Sequence, residues 1–182
     1  LGGQPSGLYE YCPFCTTALL PVQEGNRLRS RCPSCGFIEH RNPAPTVSVL
    51  ILDRERVLLG KRGARPGKGT WSLPSGYVEW EEDFLTTAVR EAREETGLDV
   101  EIVPITSVVS SFVSPRFHFL GIYVTARVVG GALAAGDDLV AVEWYPLKSL
   151  PPDMGFEEDI CVIGLVAEED YAGLEVEAGY AT

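Results

Sequence analysis

An α+β chain in two parts is what the sequence predicts: a small cysteine-bearing ribbon over residues 1–41, then one domain of helices and strands over 42–182. Three observations predict it. Two Cys-x-x-Cys turns frame the first part, a proline-stiffened joint follows, and strand-like apolar runs surround two helical stretches in the rest. At 182 residues the chain holds one well-cored domain and a small module, little more.

Residues 8–41 carry Cys12-Pro-Phe-Cys15, sixteen further residues, then Cys32-Pro-Ser-Cys35-Gly36. Two such turns at this separation bring four thiolates to the corners of a tetrahedron, which zinc accepts with sulfur at about 2.3 Å. A redox pair or disulfides are the competing readings of the same spacing. So short a segment folds around no apolar core, and a metal supplies the stability that packing does not. With every position filled by protein sulfur, such a site is closed and structural. Zn2+ on Cys12, Cys15, Cys32 and Cys35 is therefore expected. Gly36 suits the turn after the last ligand, where positive φ is common.

The joint is Asn42-Pro43-Ala44-Pro45, whose two prolines block a helix across it. Beyond it, Val47 to Leu52 and Arg56 to Lys61 read as a hairpin of apolar strands turning at Asp53-Arg54-Glu55. Glu82 to Thr96 reads as a helix stopped by Gly97. Strands are expected over Val100–Val113, Phe117–Val129 and Leu139–Pro146. Phe156 to Tyr171 reads as a last helix, with Glu157, Glu158 and Asp159 near its positive end; the solitary Cys161 is expected to pack in it.

A net charge of −11 repels nucleic-acid backbones, so DNA and RNA are not expected partners. A local basic patch can still hold a small phosphorylated ligand. No apolar run approaches the length needed to cross a bilayer. Leu1 to Gly7 has neither the basic region nor the apolar core of a signal peptide, and position 1 is not Met, which leaves the native start open. The expectation is a cytoplasmic protein with no membrane partner.

The acids concentrate between Glu79 and Glu95, where seven carboxylates face two arginines. A solvated helix face is the ordinary reading of such a run. Here the spacing argues otherwise. On a helix, Glu91, Glu94 and Glu95 share one sector roughly 100° wide, beside a sector of Phe84, Leu85, Ala88 and Ala92 that packs on a sheet. Carboxylates at the edge of a buried face are costly unless hard cations with oxygen ligands sit among them. Arg90 lies beside this sector, placed to pair with Glu82 and tie the preceding loop to the helix.

The stretch Gly76 to Leu98 resembles the Nudix box, Gly-x5-Glu-x7-Arg-Glu-U-x-Glu-Glu-x-Gly-U, with U a bulky aliphatic residue. Gly76, Glu82, Arg90, Glu91, Glu94, Glu95, Gly97 and Leu98 occupy its fixed positions, and only Ala92 departs, at the first U. Trp71-Ser72-Leu73-Pro74-Ser75 before it also looks like the family's approach to the box. The resemblance covers most of residues 46–150. It implies an α/β/α sandwich with a mixed sheet, Mg2+ or Mn2+, and hydrolysis of a nucleoside diphosphate linked to a group X, with roughly one to three cations on the diphosphate. By motif position Glu91 and Glu95 bind metal, Glu94 shares that work or orients water, and the Ser75 carbonyl is a further ligand. An acid from a later loop often serves as base in the family. Asp138 is the candidate and Asp137 the reserve, against a plain turn at Gly136-Asp137-Asp138. A homodimer is common in the family.

Ribbon and box together resemble the zinc-ribbon members of the family, which include NADH pyrophosphatases and enzymes acting on ADP-ribose or FAD. The NADH group carries Ser-Gln-Pro-Trp-Pro-Phe-Pro-x-Ser after the box; Ser110-Ser111-Phe112-Val113-Ser114-Pro115 stands here instead. The resemblance therefore favours ADP-ribose or FAD, a dinucleotide or nucleoside-diphosphate sugar, over NADH. A non-hydrolysing nucleotide sensor is the second reading and a zinc-ribbon nucleic-acid protein the third, which the net charge opposes.

Other features carry less. Lys61, Arg62, Arg65 and Lys68 precede the box in a Gly- and Pro-rich loop; they read as phosphate contacts, Arg62 best placed at a strand end, or as a solvated loop. Gly63 to Thr70 nearly resembles a nucleotide P-loop, but Gly69 follows Lys68 and the glycine spacing is short. Trp71, Tyr77, Phe112 and Phe117 read as stacking surfaces for adenine or flavin, or as core. Arg62, Trp71 and Tyr77 are the substrate-binding candidates. His40 and His118 have no ligand spacing, and no serine sits in a nucleophile elbow.

Overall fold

The computed structural model describes residues 7–114, 117–168, 171 and 173–175. Its contacts divide the chain into two compact units, Leu1–Pro43 and Ala44–Thr182.

The first unit is built from two copies of one turn. In each, the first cysteine's N–H binds the carbonyl five residues on, at 2.9 Å for Cys12–Thr17 and 2.7 Å for Cys32–Phe37. In each, the N–H four residues on returns to that cysteine's carbonyl, at 2.9 Å from Thr16 and 3.1 Å from Gly36. The returning residue has positive φ in both, 79° at Gly36 and 58° at Thr16. Glycine makes the second visible in sequence; threonine hides the first. Between the turns, residues to which periodicity assigns nothing form a hairpin of β1 (Leu20–Glu24) and β2 (Arg27–Arg31), with Gly25 at φ 58° in its tip.

The second unit follows the expected elements closely. Strands β3 (Ala44–Asp53) and β4 (Arg56–Arg62) are the predicted hairpin. Two short strands come next, β5 (Trp71–Ser72) and β6 (Ser75–Tyr77), then helix α1 (Phe84–Thr96). The long strands β7 (Leu98–Ser114) and β8 (Phe117–Gly131), then β9 (Leu139–Pro146), helix α2 (Glu157–Val166) and β10 (Leu174–Glu175) complete it. One sheet of eight strands runs β10-β7-β8-β3-β4-β5, with β6 on β3 and β9 on β4. It is mixed because β3 and β8 run parallel, from Ala44 opposite Phe119 to Leu52 opposite Arg127, while the other pairs are antiparallel.

Alternation along β3 makes the domain a sandwich. Val47, Val49 and Ile51 are buried with Ala88 and Ala92 of α1. Leu50, one step out of phase, is buried with Tyr123 of β8 and with Val162 and Ile163 of α2. Residues two apart share a face and neighbours do not, so the two helices cover opposite faces of one sheet. Ala92, the departure from the aliphatic pattern, is fully buried, and its small side chain lets α1 settle on the β-branched floor.

Both helices are shorter than the pattern suggests. Asp83 caps α1, its carboxylate accepting from the N–H groups of Leu85 (2.9 Å) and Thr86 (3.1 Å), and this leaves Glu82 in the loop. Gly97, at φ 71°, ends α1 in the left-handed conformation. α2 stops at Val166; Glu168 and the two acids after it in sequence are unfavourable at a helix's negative end. Cys161, expected to pack, lies exposed on α2. Among the described residues no helix is long and apolar enough to cross a membrane.

Asp83→Ala removes the side-chain acceptor for two N–H groups at the start of α1. It is expected to lower stability by about 1 kcal/mol, read as a lower midpoint in urea unfolding with the slope unchanged.

Candidate metal centres and substrate pocket

The two cysteine turns converge. Sγ of Cys12 lies 3.5 Å from that of Cys35, and Sγ of Cys15 lies 3.4 Å from that of Cys32; all four sulfurs fall within 4.8 Å of one another and none is in a disulfide. Tetrahedral zinc at about 2.3 Å from sulfur sets its corners roughly 3.8 Å apart, so the donor set fits that ion. The Cys35 N–H points at the Cys32 sulfur at 3.4 Å and helps hold the Cys32 thiol below its usual pKa.

The second centre is built on α1. Glu91 and Glu95 are buried on the helix face toward the sheet, while Glu94 is exposed. Glu95 reaches back to β6, where the Ser75 N–H donates to its Oε2 at 2.9 Å. Glu91 lies against Gly76: a Cβ built there would stand 1.8 Å from Glu91 Oε1, so glycine is the residue that lets strand and carboxylate meet. Arg90 gathers the flank. Its Nε and Nη2 clamp both oxygens of Glu82 at 2.8 and 2.9 Å, as the sequence suggests. Its Nη1 reaches Glu91 at 2.7 Å and Glu94 at 3.0 Å. Glu94 therefore rests on Arg90 at the surface, apart from the buried pair.

A third acidic source comes from the loop after β8. Alternate N–H groups of this loop take the free carbonyls at the end of α1: Ala132 to Gly97 (3.1 Å), Ala134 to Thr96 (2.9 Å) and Gly136 to Glu95 (3.0 Å). Such a ladder satisfies the orphan acceptors of a helix C-terminus, and it fixes the position of the two acids that come next in the chain. Asp137, at φ 49°, and Asp138 arrive beside Glu95, and one oxygen from each of the three lies within 4.8 Å of the others. The signal in sequence is the glycine- and alanine-rich stretch from Gly130 to Gly136, broken only by Leu133; a Cβ at Gly136 would meet the Glu94 carbonyl at 2.3 Å.

Burial raises the Glu95 pKa to about 9, with Asp138 and Glu91 adding to the rise and the Ser75 N–H opposing it. Burial likewise raises that of Glu91, against the pull of Arg90. Three converging carboxylates, one deeply desolvated, form a hard oxygen donor set that fits a divalent cation.

A cavity of about 180 Å³ opens on the other face of the sheet. It meets the acids at β6, since Ser75 and Gly76 line it. Arg62 and Tyr77 also line it; Trp71 does not. Trp71 is buried with Tyr145, ring centroids 5.2 Å apart, in the core on the α2 side. Arg62 is held by the Pro66 carbonyl (2.7 Å), by Asp138 (3.5 Å) and over the Phe156 ring (5.6 Å). Phe112 stacks on His118 at 4.0 Å, and Phe117 lies exposed beside Phe119. His40 is exposed.

Sequence reading missed the cavity's polar residues. Thr46 and Ser48 interrupt an apolar strand at every second position, a visible mark of a polar patch on one face. Glu158 and Asp159 read only as helix-end acids, yet Asp159 is buried and accepts from Leu73 N–H (3.0 Å) and Tyr123 O–H (3.2 Å).

Comparison with known proteins places this architecture. A NUDIX domain model matches residues 42–163. The chain is 40% identical over 111 residues to an ADP-ribose pyrophosphatase of Methanocaldococcus jannaschii, a match covering 60% of this chain and 66% of that protein. It is 31% identical over 143 residues to an NAD-capped RNA hydrolase, NudC, of Pseudomonas aeruginosa, covering 78% of this chain and 49% of that one. The chain thus spans about half to two thirds of these relatives' lengths. A crystal structure of a NUDIX hydrolase from Nitrosomonas europaea superposes with a TM-score of 0.79 at 25% identity, over 92% of this chain and 95% of that one.

Two outcomes are expected. In EDTA, Glu95 keeps a proton in the folded state up to about pH 9, whereas unfolded it loses that proton near its ordinary value of 4.5. The folded state binds more protons between those values, so this group's contribution to stability falls as pH rises through that window. Melting curves in EDTA should decline with pH, and the stabilisation added by Mg2+ should grow with pH. Cys12→Ser should abolish stoichiometric zinc and melt the first unit below the second, whereas an unchanged melting profile without zinc would contradict the fit.

Proposed function

We propose, from the premise that this chain belongs to the Nudix family, that it is a divalent-metal-dependent hydrolase that cleaves the diphosphate of ADP-ribose, with FAD the next candidate. The observation that carries this is the convergence of exposed Asp137 and half-buried Asp138 on buried Glu95, with Glu91 close enough to act on Glu95 by charge, at the strand that also lines the cavity. The 40% identity to an ADP-ribose pyrophosphatase supports the substrate. The identity to an NAD-capped RNA hydrolase supports a second reading, NADH or an NAD-capped RNA end, against which stands the absence of that group's signature at residues 110–115.

Hydrolysis adds water across the bridge. The water oxygen bonds to one phosphorus, the bridging oxygen leaves with the electron pair and takes up a proton, and two monophosphates result. Glu91, Glu95 and the Ser75 carbonyl would hold Mg2+ or Mn2+, with Glu94 as an outer member once it leaves Arg90. When bound, the cation supplies positive charge that offsets the diphosphate and makes water more acidic. Asp138 would take the water's proton, with Asp137 the reserve. Arg62, on the cavity wall, meets phosphoryl oxygens, and Tyr77 flanks the group beyond. Glu82 acts through Arg90, holding the loop and helix together. Cys12, Cys15, Cys32 and Cys35 would hold a structural Zn2+ in the ribbon. The acidic chain favours a small-molecule dinucleotide or nucleoside-diphosphate sugar over nucleic acid; a homodimer, common in the family, and a cytoplasmic setting complete the proposal.

A panel of ADP-ribose, FAD, NADH and nucleoside triphosphates with Mg2+ or Mn2+, read as released monophosphate, tests this. ADP-ribose should turn over fastest, and Glu95→Gln should lower kcat roughly 100-fold or more with the fold intact, since the bound cation supplies several kcal/mol. No turnover of any compound would favour a nucleotide sensor, and wild-type rates in Glu95→Gln would show that the metal site lies elsewhere.

A further inference from the structure

The cavity is chemically one-sided where β7 meets α2, and this deepens the hydrolase reading on which it rests. Its floor crosses the sheet from Ser75 on β6 through Ser48 on β3 and Tyr123 on β8 to Ser111 on β7. Neighbouring strands stand about 4.8 Å apart, so three steps across the sheet make roughly 14 Å, and Ser111 lies four residues along β7 from Ser107, the residue opposite Tyr123, which puts it about 20 Å from Ser75 beside the acids. A diphosphate anchored at the acids ends short of this point. What lies against Ser111 is the group carried beyond it.

Hydrogen-bond accounting decides what that group is. Ser111 gives its hydroxyl proton to Glu158 Oε1. Tyr123 gives its own to Asp159 Oδ1 at 3.2 Å, and the Leu73 N–H occupies Asp159 Oδ2 at 3.0 Å. With those protons committed, this end of the cavity offers acceptors: the second oxygen of Glu158 and the lone pairs of Ser111. Arg62 is turned to Pro66 and Asp138; its charge reaches Asp159, but it does not pair with Glu158 among the described contacts. A donor-bearing neutral group satisfies such a wall, whereas an anionic group would face Glu158 with buried Asp159 behind it.

We propose that Glu158, positioned by Ser111, is the specificity residue for the group beyond the diphosphate, accepting a neutral group with O–H or N–H donors and excluding a further phosphate. The donor is a sugar diol or the amino edge of a base. Glu158 takes no part in bond cleavage; its effect lies in which substrate the acids receive.

The test compares kcat/KM for ADP-ribose, ADP-2-deoxyribose, IDP-ribose and ATP on the wild type, Glu158→Gln, Glu158→Ala and Ser111→Ala, each checked for native circular dichroism. The wild type should prefer ADP-ribose to ATP. Glu158→Gln, which keeps size but removes the charge, should raise KM for ADP-ribose roughly 10-fold with kcat nearly unchanged, and narrow the preference over ATP by a similar factor. Whichever analogue loses about 10-fold on the wild type but not on Glu158→Ala identifies the donor as the diol or the amino edge. Ser111→Ala, the milder change, should move the same ratio in the same direction. A wild type that cleaves ADP-ribose while all three variants keep its preference over ATP overturns the proposal. If the wild type cleaves nothing, the hydrolase reading fails, and calorimetric ADP-ribose affinity then decides this inference: equal affinity in wild type and Glu158→Gln overturns it, and weaker binding in the variant supports it.

Discussion

The Glu95 carboxylate, buried at the foot of α1 and held by one backbone N–H, is the contact on which the rest of the site depends. It is 2% exposed, and the Ser75 N–H at 2.9 Å is the donor seen on it besides its acidic neighbours. A charge so placed is expensive by itself. The protein stores a proton there or admits a cation, and either choice fixes where β6 must lie. Gly76 is a consequence, because no side chain fits between β6 and Glu91. The capping ladder from Ala132 to Gly136 is another, since it ties the source of Asp137 and Asp138 to the turn of helix that carries Glu95.

Charge is divided between two functions on one helix. Arg90 neutralises the outer acids, clamping Glu82 and reaching Glu94 and Glu91, and its first effect is to hold the Glu82 carboxyl below its usual range. The inner acids have no such neutraliser except through Glu91. That asymmetry separates a salt-bridged surface from a desolvated cluster within two turns of helix. It is also why acid spacing alone put Glu94 with Glu95, while packing sets them apart: a sector of about 100° is wide enough to include both a buried and an exposed position.

Much of this was legible because each signal was local. Gly97 ends α1 and Gly36 turns the second knuckle for the same reason, a backbone conformation that side chains disfavour. The four cysteines announce their convergence by spacing, and the long strands by apolar runs. What stayed hidden depends on distant partners. Thr16 takes the positive φ that Gly36 advertises, with nothing in its identity to say so. Trp71 has the composition of a stacking residue, yet its ring meets Tyr145, 74 residues further on. The cavity is assembled by β3, β8, β6, β7 and α2 together, and its acceptor wall exists only because α2 lands Glu158 on Ser111. No period along one segment encodes that meeting.

On the proposed reading, acids from α1 and from the loop after β8 meet on one divalent cation. Anomalous diffraction from Mn2+-soaked crystals tests it most directly. A peak is expected about 2–2.5 Å from a Glu95 carboxylate oxygen, with an oxygen of Asp137 or Asp138 sharing the same ion or its water shell. Mn2+ sitting only on exposed Glu94 or on the acids before α1, with Glu95 bare, would contradict it.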